Sequence, residues 1–314
     1  MIRLLYRNQR AIVKVESLEG LERPDDIIWI DLQDPNPTQV AEVEAVYNVR
    51  FMSEQEQAEI ESSSRYVEIA DRITANSNFL QFNGSEYESH PVSFILKEKV
   101  LFTYREHDLR TFAETVRKIK QNALTTSNGT QVMLNLFESR VDLDADLIEN
   151  ISREISSISK SLGINKRVSE DILLRISEYQ EFTMSLRENI FDKQRVVSSM
   201  MRSEKFESGE YDKLRILLKD ISSLLEHTAF NFERLEYLQD TFLGLVNIEQ
   251  NKIIKIFTVA SVIFMPPTLI ASIYGMNFRS MPELNWEEGY PFAIGLMLLS
   301  SGLTLLFFRR RGWL

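Results

Sequence analysis

Ile256-Phe257-Thr258-Val259-Ala260-Ser261-Val262-Ile263-Phe264-Met265-Pro266-Pro267-Thr268-Leu269-Ile270-Ala271-Ser272-Ile273-Tyr274 is a run of 19 residues without a charge. That is about the length a helix needs to cross the hydrocarbon of a bilayer. A second uncharged run of the same length, Tyr290 to Phe308, follows after a short loop. A buried core helix can imitate one such run. Two at the end of a chain, each bounded by basic and aromatic residues, read as a pair of membrane spans. Lys252 and Lys255 precede the first span and Arg309, Arg310 and Arg311 follow the second, whereas the loop from Phe278 to Gly289 holds one Arg and three Glu. The positive-inside rule then puts both chain termini in the cytoplasm and the loop outside. Trp286, Trp313, Tyr274 and Tyr290 fall at the expected interfaces, and residues Met1 to Arg7 lack the apolar core of a signal peptide.

The rest of the chain is a different material. The 314 residues carry 36 basic and 46 acidic side chains, a net charge of −10. Beyond Asn251 there are six basic and three acidic groups, so residues 1–251 hold 30 and 43, a net of −13. A chain this acidic is no general nucleic-acid binder. The absence of cysteine excludes disulfide frameworks, zinc fingers, iron–sulfur clusters and thiol catalysis. His90, His107 and His227 are far apart in the chain and in no metal-ligand spacing. There is no Walker loop, no G-x-G-x-x-G and no nucleophile–base constellation. These absences argue against a pump, an enzyme or an organic cofactor. The mean hydropathy of −0.19 averages over both materials and conceals the spans.

Three regions are expected: an α/β domain over 1–125, a long-helix and stalk region over 126–251, and the membrane hairpin over 252–314 with its outer loop at 278–289. Ile27 to Leu32 reads as a buried strand, closed by Asp34-Pro35-Asn36-Pro37 before a helix that runs to about Tyr47. Val92–Leu96 and Val100–Tyr104 read as a hairpin, and Leu109 to Gln121 as a basic amphipathic helix. Beyond a boundary at Thr125 to Thr130 nearly everything is helical, in stretches from about Val132 to Ser161 and Ser169 to Met201. A third begins near Tyr211 and meets no breaker before Pro266. Leu214, Ile221, Leu235 and Phe242 recur at heptad spacing beside Leu217, Leu224, Leu238 and Leu245, the pattern of a coiled-coil stalk that supplies a surface for self-association.

A two-helix hairpin cannot enclose a passage, and an anchor needs only an apolar surface. The first span has more. Asn251, Thr258, Met265 and Ser272 lie seven apart, interleaved with Ile254, Ser261, Thr268 and Gly275, in one stripe of mostly small or polar residues. Close packing of helices through small residues is one reading; the wall of a pore built from several copies is the other. The second span, rich in Leu and Phe, is the natural lipid-facing partner. Pro266-Pro267 removes two N–H groups and frees the carbonyls of Val262 and Ile263. A plain kink and a role in the pore are both compatible with that.

Tyr274-Gly275-Met276-Asn277 closes this span, followed by Met281-Pro282-Glu283-Leu284, by Gly289-Tyr290-Pro291 and by the basic tail ending Trp313-Leu314. With the preceding Phe264-Met265-Pro266, these motifs closely resemble the CorA family of divalent-cation channels over about residues 247–314; the rest agrees in architecture. The resemblance implies a funnel-shaped homopentamer in a bacterial inner membrane that passes Mg²⁺, with its α+β domains in the cytosol. It places Gly275, Met276 and Asn277 at the outer mouth, with Asn277 as a ring of amide oxygens. Asn251, Met265 and Thr268 fall on the pore axis, and Ile254 and Phe257 near an apolar constriction. Arg279 stands where the family often has an acidic residue, and Glu283, Glu287 and Glu288 are the loop carboxylates that could compensate. Within the same family, Co²⁺, Ni²⁺ or Zn²⁺ is the alternative cargo; a sensor domain anchored by the hairpin is the alternative class.

Asp142, Asp144, Asp146 and Glu149 form an acidic cluster, with Asp142, Asp146 and Glu149 on one helical face. A solvated face is the plain reading. The functional one is a Mg²⁺ sensor between subunits, in keeping with the feedback logic the resemblance implies, in which bound Mg²⁺ relieves carboxylate repulsion and holds the channel closed.

Overall fold

The strand expected at Ile27 is the hinge of a mixed sheet, and its neighbours explain why it is buried on both faces. The computed structural model describes residues 1–7, 12–19, 24–52, 65–83, 87–121, 126–165, 169–277, 281–282 and 286–312. Seven strands are present: β1 (Ile2–Tyr6), β2 (Val13–Val15), β3 (Ile27–Gln33), β4 (Tyr66–Ile69), β5 (Arg72–Phe82), β6 (Tyr87–Lys97) and β7 (Val100–Arg105). They lie in the order β2-β1-β3-β7-β6-β5-β4, with β3 and β7 parallel and every other pair antiparallel.

After β3, Asp34 takes a left-handed φ of 42° and Asn36 caps helix α1 (Pro37–Tyr47). The Gln39 backbone N–H donates to Asn36 Oδ1 at 2.8 Å, while Gln39 Oε1 accepts from the Asn36 N–H at 3.2 Å, a reciprocal capping box. Asn48, left-handed at φ 45°, ends the helix. The β6–β7 hairpin turns through Glu98 and Lys99, both with positive φ, the pattern of a type I′ turn without its usual Asn-Gly.

Val43 of α1 belongs to a cluster on one face of the sheet with Ile2, Leu4, Ile30, Leu32 and Phe102. The other face is aromatic: Trp29 meets Phe112, and Phe94 meets Phe137 with ring centroids 5.2 Å apart. Phe112 comes from α2 (Arg110–Gln121) and Phe137 from α3 (Gly129–Asn165). Buried Arg105 grips Asp31 through two bonds of 3.2 and 2.8 Å and lies 4.0 Å over the Phe112 ring. Thr103 donates to the same carboxylate and accepts from the Trp29 indole N–H. Every polar atom of that buried chain thus has a partner.

Helices α3 and α4 (Glu170–Met200) are tied to β5 by a second buried ionic network. Asp144 of α3 pairs with Arg140 at 2.5 Å and with Lys193 of α4 at 3.4 Å, all three buried. Lys193 also donates to the Asn78 carbonyl, and Arg140 to that of Leu80. Burial pushes the Lys193 pKa down, and Asp144 opposes that shift. Residues 1–165 and 169–238 accordingly form one compact unit, and the boundary expected at 125 falls at the entry to α3 within it.

Helix α5 (Ser208–Tyr274) is a single helix of 67 residues, and α6 (Gly289–Arg310) is the second span. The stalk reading needs one correction. Leu214, Ile221 and Leu235 have no exposure, and Leu217 and Leu238 are buried as well. Polar contacts from the same stretch of α5, Ser152 to Asn231 and Gln194 to Ser222, go to this chain's own α3 and α4. The heptad seam therefore packs within the chain, not against another copy. A different heptad line of α5, with Ile216, Phe230 and Tyr237 at 62, 57 and 69% exposure, is left on the surface. The histidines also differ from their sequence reading. The β6–β7 register pairs Ser93 with Tyr104, and continued past Pro91 it sets His90 opposite His107, whose rings lie 4.0 Å apart. Among the described residues, no group of three or more His, Asp or Glu could hold a metal ion.

The ionic network makes a testable distinction. Asp144→Ala leaves two buried cations uncompensated and is expected to cost about 3–5 kcal/mol. Asp142→Ala, on the exposed face, is expected to change stability by less than about 1 kcal/mol. Denaturant unfolding of both variants checks this, and similar losses would contradict the assignment.

Candidate functional site

Residues 239–314 form the second compact unit, and its two helices meet along one face each. On α5 the covered positions are Val259, Val262, Ile263, Pro266, Pro267 and Ile270; on α6 they are Ala293, Met297, Ser300, Ser301, Thr304 and Phe308. Both sets recur every three to four residues, as a helix–helix seam requires. Apart from that seam the apolar stretches are exposed: Phe257, Phe264 and Leu269 on α5, and Leu298, Leu303 and Phe307 on α6. A core helix of a water-soluble protein would be buried, and hardly any of either stretch is.

The prolines belong to the seam. Pro267 cannot donate to the Ile263 carbonyl four residues back, and Ser301 Oγ of α6 donates to that oxygen instead, at 3.4 Å. The Ile263 carbonyl is thus satisfied by protein, and Pro266-Pro267 lie on the covered face. The proline pair lies on the seam with α6 and not on the exposed stripe. Ser300 and Thr304 donate to carbonyls of their own helix at 2.8 Å, so the hydroxyls of α6 are used within the hairpin.

The polar stripe of α5 lies elsewhere on its surface. Asn251, Ile254, Phe257, Thr258, Ser261, Met265, Thr268 and Ser272 are all exposed, so α6 covers none of the residues expected on a pore axis. Thr258 and Thr268 donate to the carbonyls of Ile254 and Phe264 at 2.8 and 2.7 Å. A hydroxyl that has donated keeps its acceptor capacity. Ser261 and Ser272 have no hydrogen-bond partner among the described residues. In hydrocarbon such a polar line is unfavourable, and nothing in the two-helix unit relieves it.

At the end of the stripe, Gly275 extends the helix by one residue, its N–H donating to Ala271 at 2.9 Å, and Met276 donates to Ile273 at 3.2 Å. Gly275 does not take a positive φ. A Cβ there would lie 3.1 Å from the Ala271 carbonyl oxygen. Asn277 is exposed, and its amide has no partner among the described residues; it is not bonded back as a helix cap. Glu287 and Glu288 are exposed just before α6, where Trp286 packs on Phe292 at 5.6 Å. Arg279, Glu283 and Trp313 lie outside the described residues.

The acidic cluster divides. Asp144 points into the buried network, whereas Asp142, Asp146 and Glu149 are exposed on one face of α3. Asp142 is already engaged, 2.6 Å from Lys118. Burial pulls the Lys118 pKa down, but Asp142 and Glu138 outweigh it and hold the ammonium above its ordinary range.

A helical hairpin that exposes apolar surface all round except at its seam, and carries a polar stripe to a glycine-ended tip, defines a two-span membrane protein on a large α+β body. The profile of the family described as CorA-like Mg²⁺ transporter protein matches residues 24–310. The chain is 37% identical over 318 residues to the magnesium transport protein CorA of Wolinella succinogenes, covering 99% of each. It is 34% identical over 320 residues to the protein of the same name from Helicobacter pylori, covering all of both. Among solved structures, CorA of Methanocaldococcus jannaschii, a magnesium transporter, superposes with a TM-score of 0.83 at 18% identity, over 100% of this chain and 99% of that one. The full-length CmaX protein gives 0.76 at 16% identity, over 98 and 97%. The chain belongs to the CorA family of Mg²⁺ transporters.

Ser301 was not singled out in the sequence; the trace it leaves there is a hydroxyl in an apolar span opposite a proline pair. Ser301→Ala is expected to cost about 1 kcal/mol, and almost nothing once Pro267→Leu restores the N–H. A double-mutant cycle in detergent unfolding measures the difference. Equal costs in both backgrounds would remove the hydroxyl–carbonyl pairing.

Proposed function

We propose that the chain is the subunit of a passive Mg²⁺ channel, in which several copies turn the exposed stripe of α5 toward a common axis. The observation that carries this reading is that the polar stripe is the face α6 leaves uncovered. A membrane anchor has no use for it. Five copies, the number the family resemblance implies, would form an inner ring of α5 helices and an outer ring of α6 helices against lipid. The basic flanks support an orientation with both termini in the cytoplasm of a bacterial inner membrane.

The ion chemistry follows from the residue types. Mg²⁺ prefers six oxygens in a tight octahedron and gives up water reluctantly. A ring of Asn277 amides beside Gly275 and Met276 offers neutral oxygens that hold the hydrated ion by hydrogen bonds. A carboxylate ring would bind more tightly and slow release. Glu287 and Glu288 raise the cation concentration near the mouth. Further in, Thr258, Ser261, Thr268 and Ser272 offer hydroxyl oxygens to the hydration shell, while Ile254 and Phe257 form an apolar narrowing that can close by losing water. An inside-negative potential of 100 mV supplies roughly 4.6 kcal/mol for two charges, so influx needs no nucleotide hydrolysis, no organic cofactor and no enzyme activity.

Closure by cytoplasmic Mg²⁺ is part of the proposal. With Asp142 held by Lys118, Asp146 and Glu149 are the carboxylates of that face left to sense the ion, and a full ligand set would have to come from two copies.

Purified protein in liposomes, with an internal Mg²⁺ indicator and an inside-negative potential, tests the reading. Influx is expected with the wild type and a fall to the level of empty liposomes with Asn277→Ala. Normal conduction by that variant would remove the amide ring. Entry of Co²⁺, Ni²⁺ or Zn²⁺ without Mg²⁺ would replace the cargo, and no flux of any ion would favour an anchored sensor.

A further inference from the structure

Between α3 and α5, within the α+β body, lies an open groove of about 490 Å³ lined by Ser152, Arg153, Ser156, Ser157, Lys160 and Arg234. It contains three cations, three hydroxyls and no carboxylate, in a chain of net charge −10. Arg153, Ser156, Ser157 and Lys160 recur at i, i+3, i+4 and i+7, which puts them on one face of α3. Arg234 reaches them from α5.

Among the described residues, none of the three cations is paired with a carboxylate. Lys118 and Arg175 elsewhere in this body each hold a carboxylate at 2.6 and 2.9 Å. Among the described residues, Arg153 bonds only the side chain of Asn150, Arg234 bonds Ser156 Oγ at 3.2 Å and lies 5.7 Å over the Phe230 ring, and Lys160 has no partner. The wall beneath them is fixed: Ser152 and Asn231 join the two helices at 3.0 and 3.1 Å, and Ser156 donates to the Ser152 carbonyl at 2.8 Å. Guanidinium forks, an ammonium and a free hydroxyl at Ser157 are the groups that recognise phosphate oxygens. The volume exceeds what one phosphate needs and lies in the range of small-molecule sites.

We propose that this groove binds a polyphosphate of nucleoside di- or triphosphate size, drawn from solution and not from a lipid headgroup. Three cations favour the most highly charged form of the ligand, so the groove prefers the polyphosphate free of metal. Joined to the Mg²⁺ influx proposed above, on which this one consequence rests, occupancy would rise when Mg²⁺ is scarce.

Equilibrium dialysis of labelled ATP against the full-length protein in detergent, with EDTA present, tests the site. Saturable binding of one ATP per chain is expected, displaced by inorganic pyrophosphate and weakened by added Mg²⁺. An Arg153→Gln/Lys160→Gln/Arg234→Gln variant is expected to bind roughly tenfold more weakly or worse, with an unchanged elution volume and melting temperature. If loss of Arg234 disturbs folding, the Arg153→Gln/Lys160→Gln pair, exposed on α3, gives the same reading. No saturable binding of ATP or pyrophosphate, or equal affinity in the variants, would overturn the proposal. So would displacement of ATP by dihexanoyl phosphatidylglycerol at lower concentrations than by pyrophosphate. None of these outcomes depends on ion flux, so the groove and the channel fail separately.

Discussion

A hydroxyl or amide at membrane depth has no water to bond, so each one must be satisfied by its own helix, by a neighbouring helix or by a passage that lets water in. The membrane hairpin of this chain is organised by that constraint. On the seam protein groups meet it where they are seen: Pro267 frees the Ile263 carbonyl and Ser301 donates to it, while Ser300 and Thr304 bond within α6. On the stripe it is not, because Ser261, Ser272 and Asn277 find no partner among the described residues. The two faces of α5 therefore ask for different neighbours. One has its neighbour in α6, and the other needs further copies of the chain or water.

The α+β body obeys the same rule in its own interior. Asp31 and Arg105, and Asp144 with Arg140 and Lys193, are charges removed from water and held by each other, by neighbouring side chains such as Thr103, and by backbone carbonyls. Such networks are of modest net value but costly to break on one side. The Asp144 network locks α3 and α4 onto β5, and the seam residues Leu214, Ile221 and Leu235 of α5 are buried in that same unit. The line of Ile216, Phe230 and Tyr237 is what α5 leaves exposed.

The parts legible in the sequence were those governed by a local period or a local cap. The two spans, β3, α1, the β6–β7 hairpin and the uninterrupted α5 follow from runs, turns and heptads that need no tertiary information. Strand β5 was not anticipated, because Arg72 to Phe82 mixes Asn, Ser and Gln with its apolar residues and is buried by α3, α4 and its neighbouring strands. The heptad seam was legible as a seam but not as an internal one, since spacing shows that a face is covered and not by which chain. The same holds for the acidic cluster, where the inward turn of Asp144 depends on Lys193, 49 positions along the chain. For the stripe, the sequence left helix packing and pore wall open; α6 packs on the proline face and leaves the stripe exposed.

The absence of cysteine gives a direct measurement of that distinction. Single cysteines placed along the stripe at Thr258, Ser261, Thr268 and Ser272, and along the seam at Val259, Val262 and Ile270, can be challenged in liposomes with a water-soluble, membrane-impermeant thiol reagent. The account predicts that the stripe positions react and block flux while the seam positions stay inert. Reaction confined to the seam, or a stripe that no aqueous reagent reaches from either side while Mg²⁺ still flows, would contradict it.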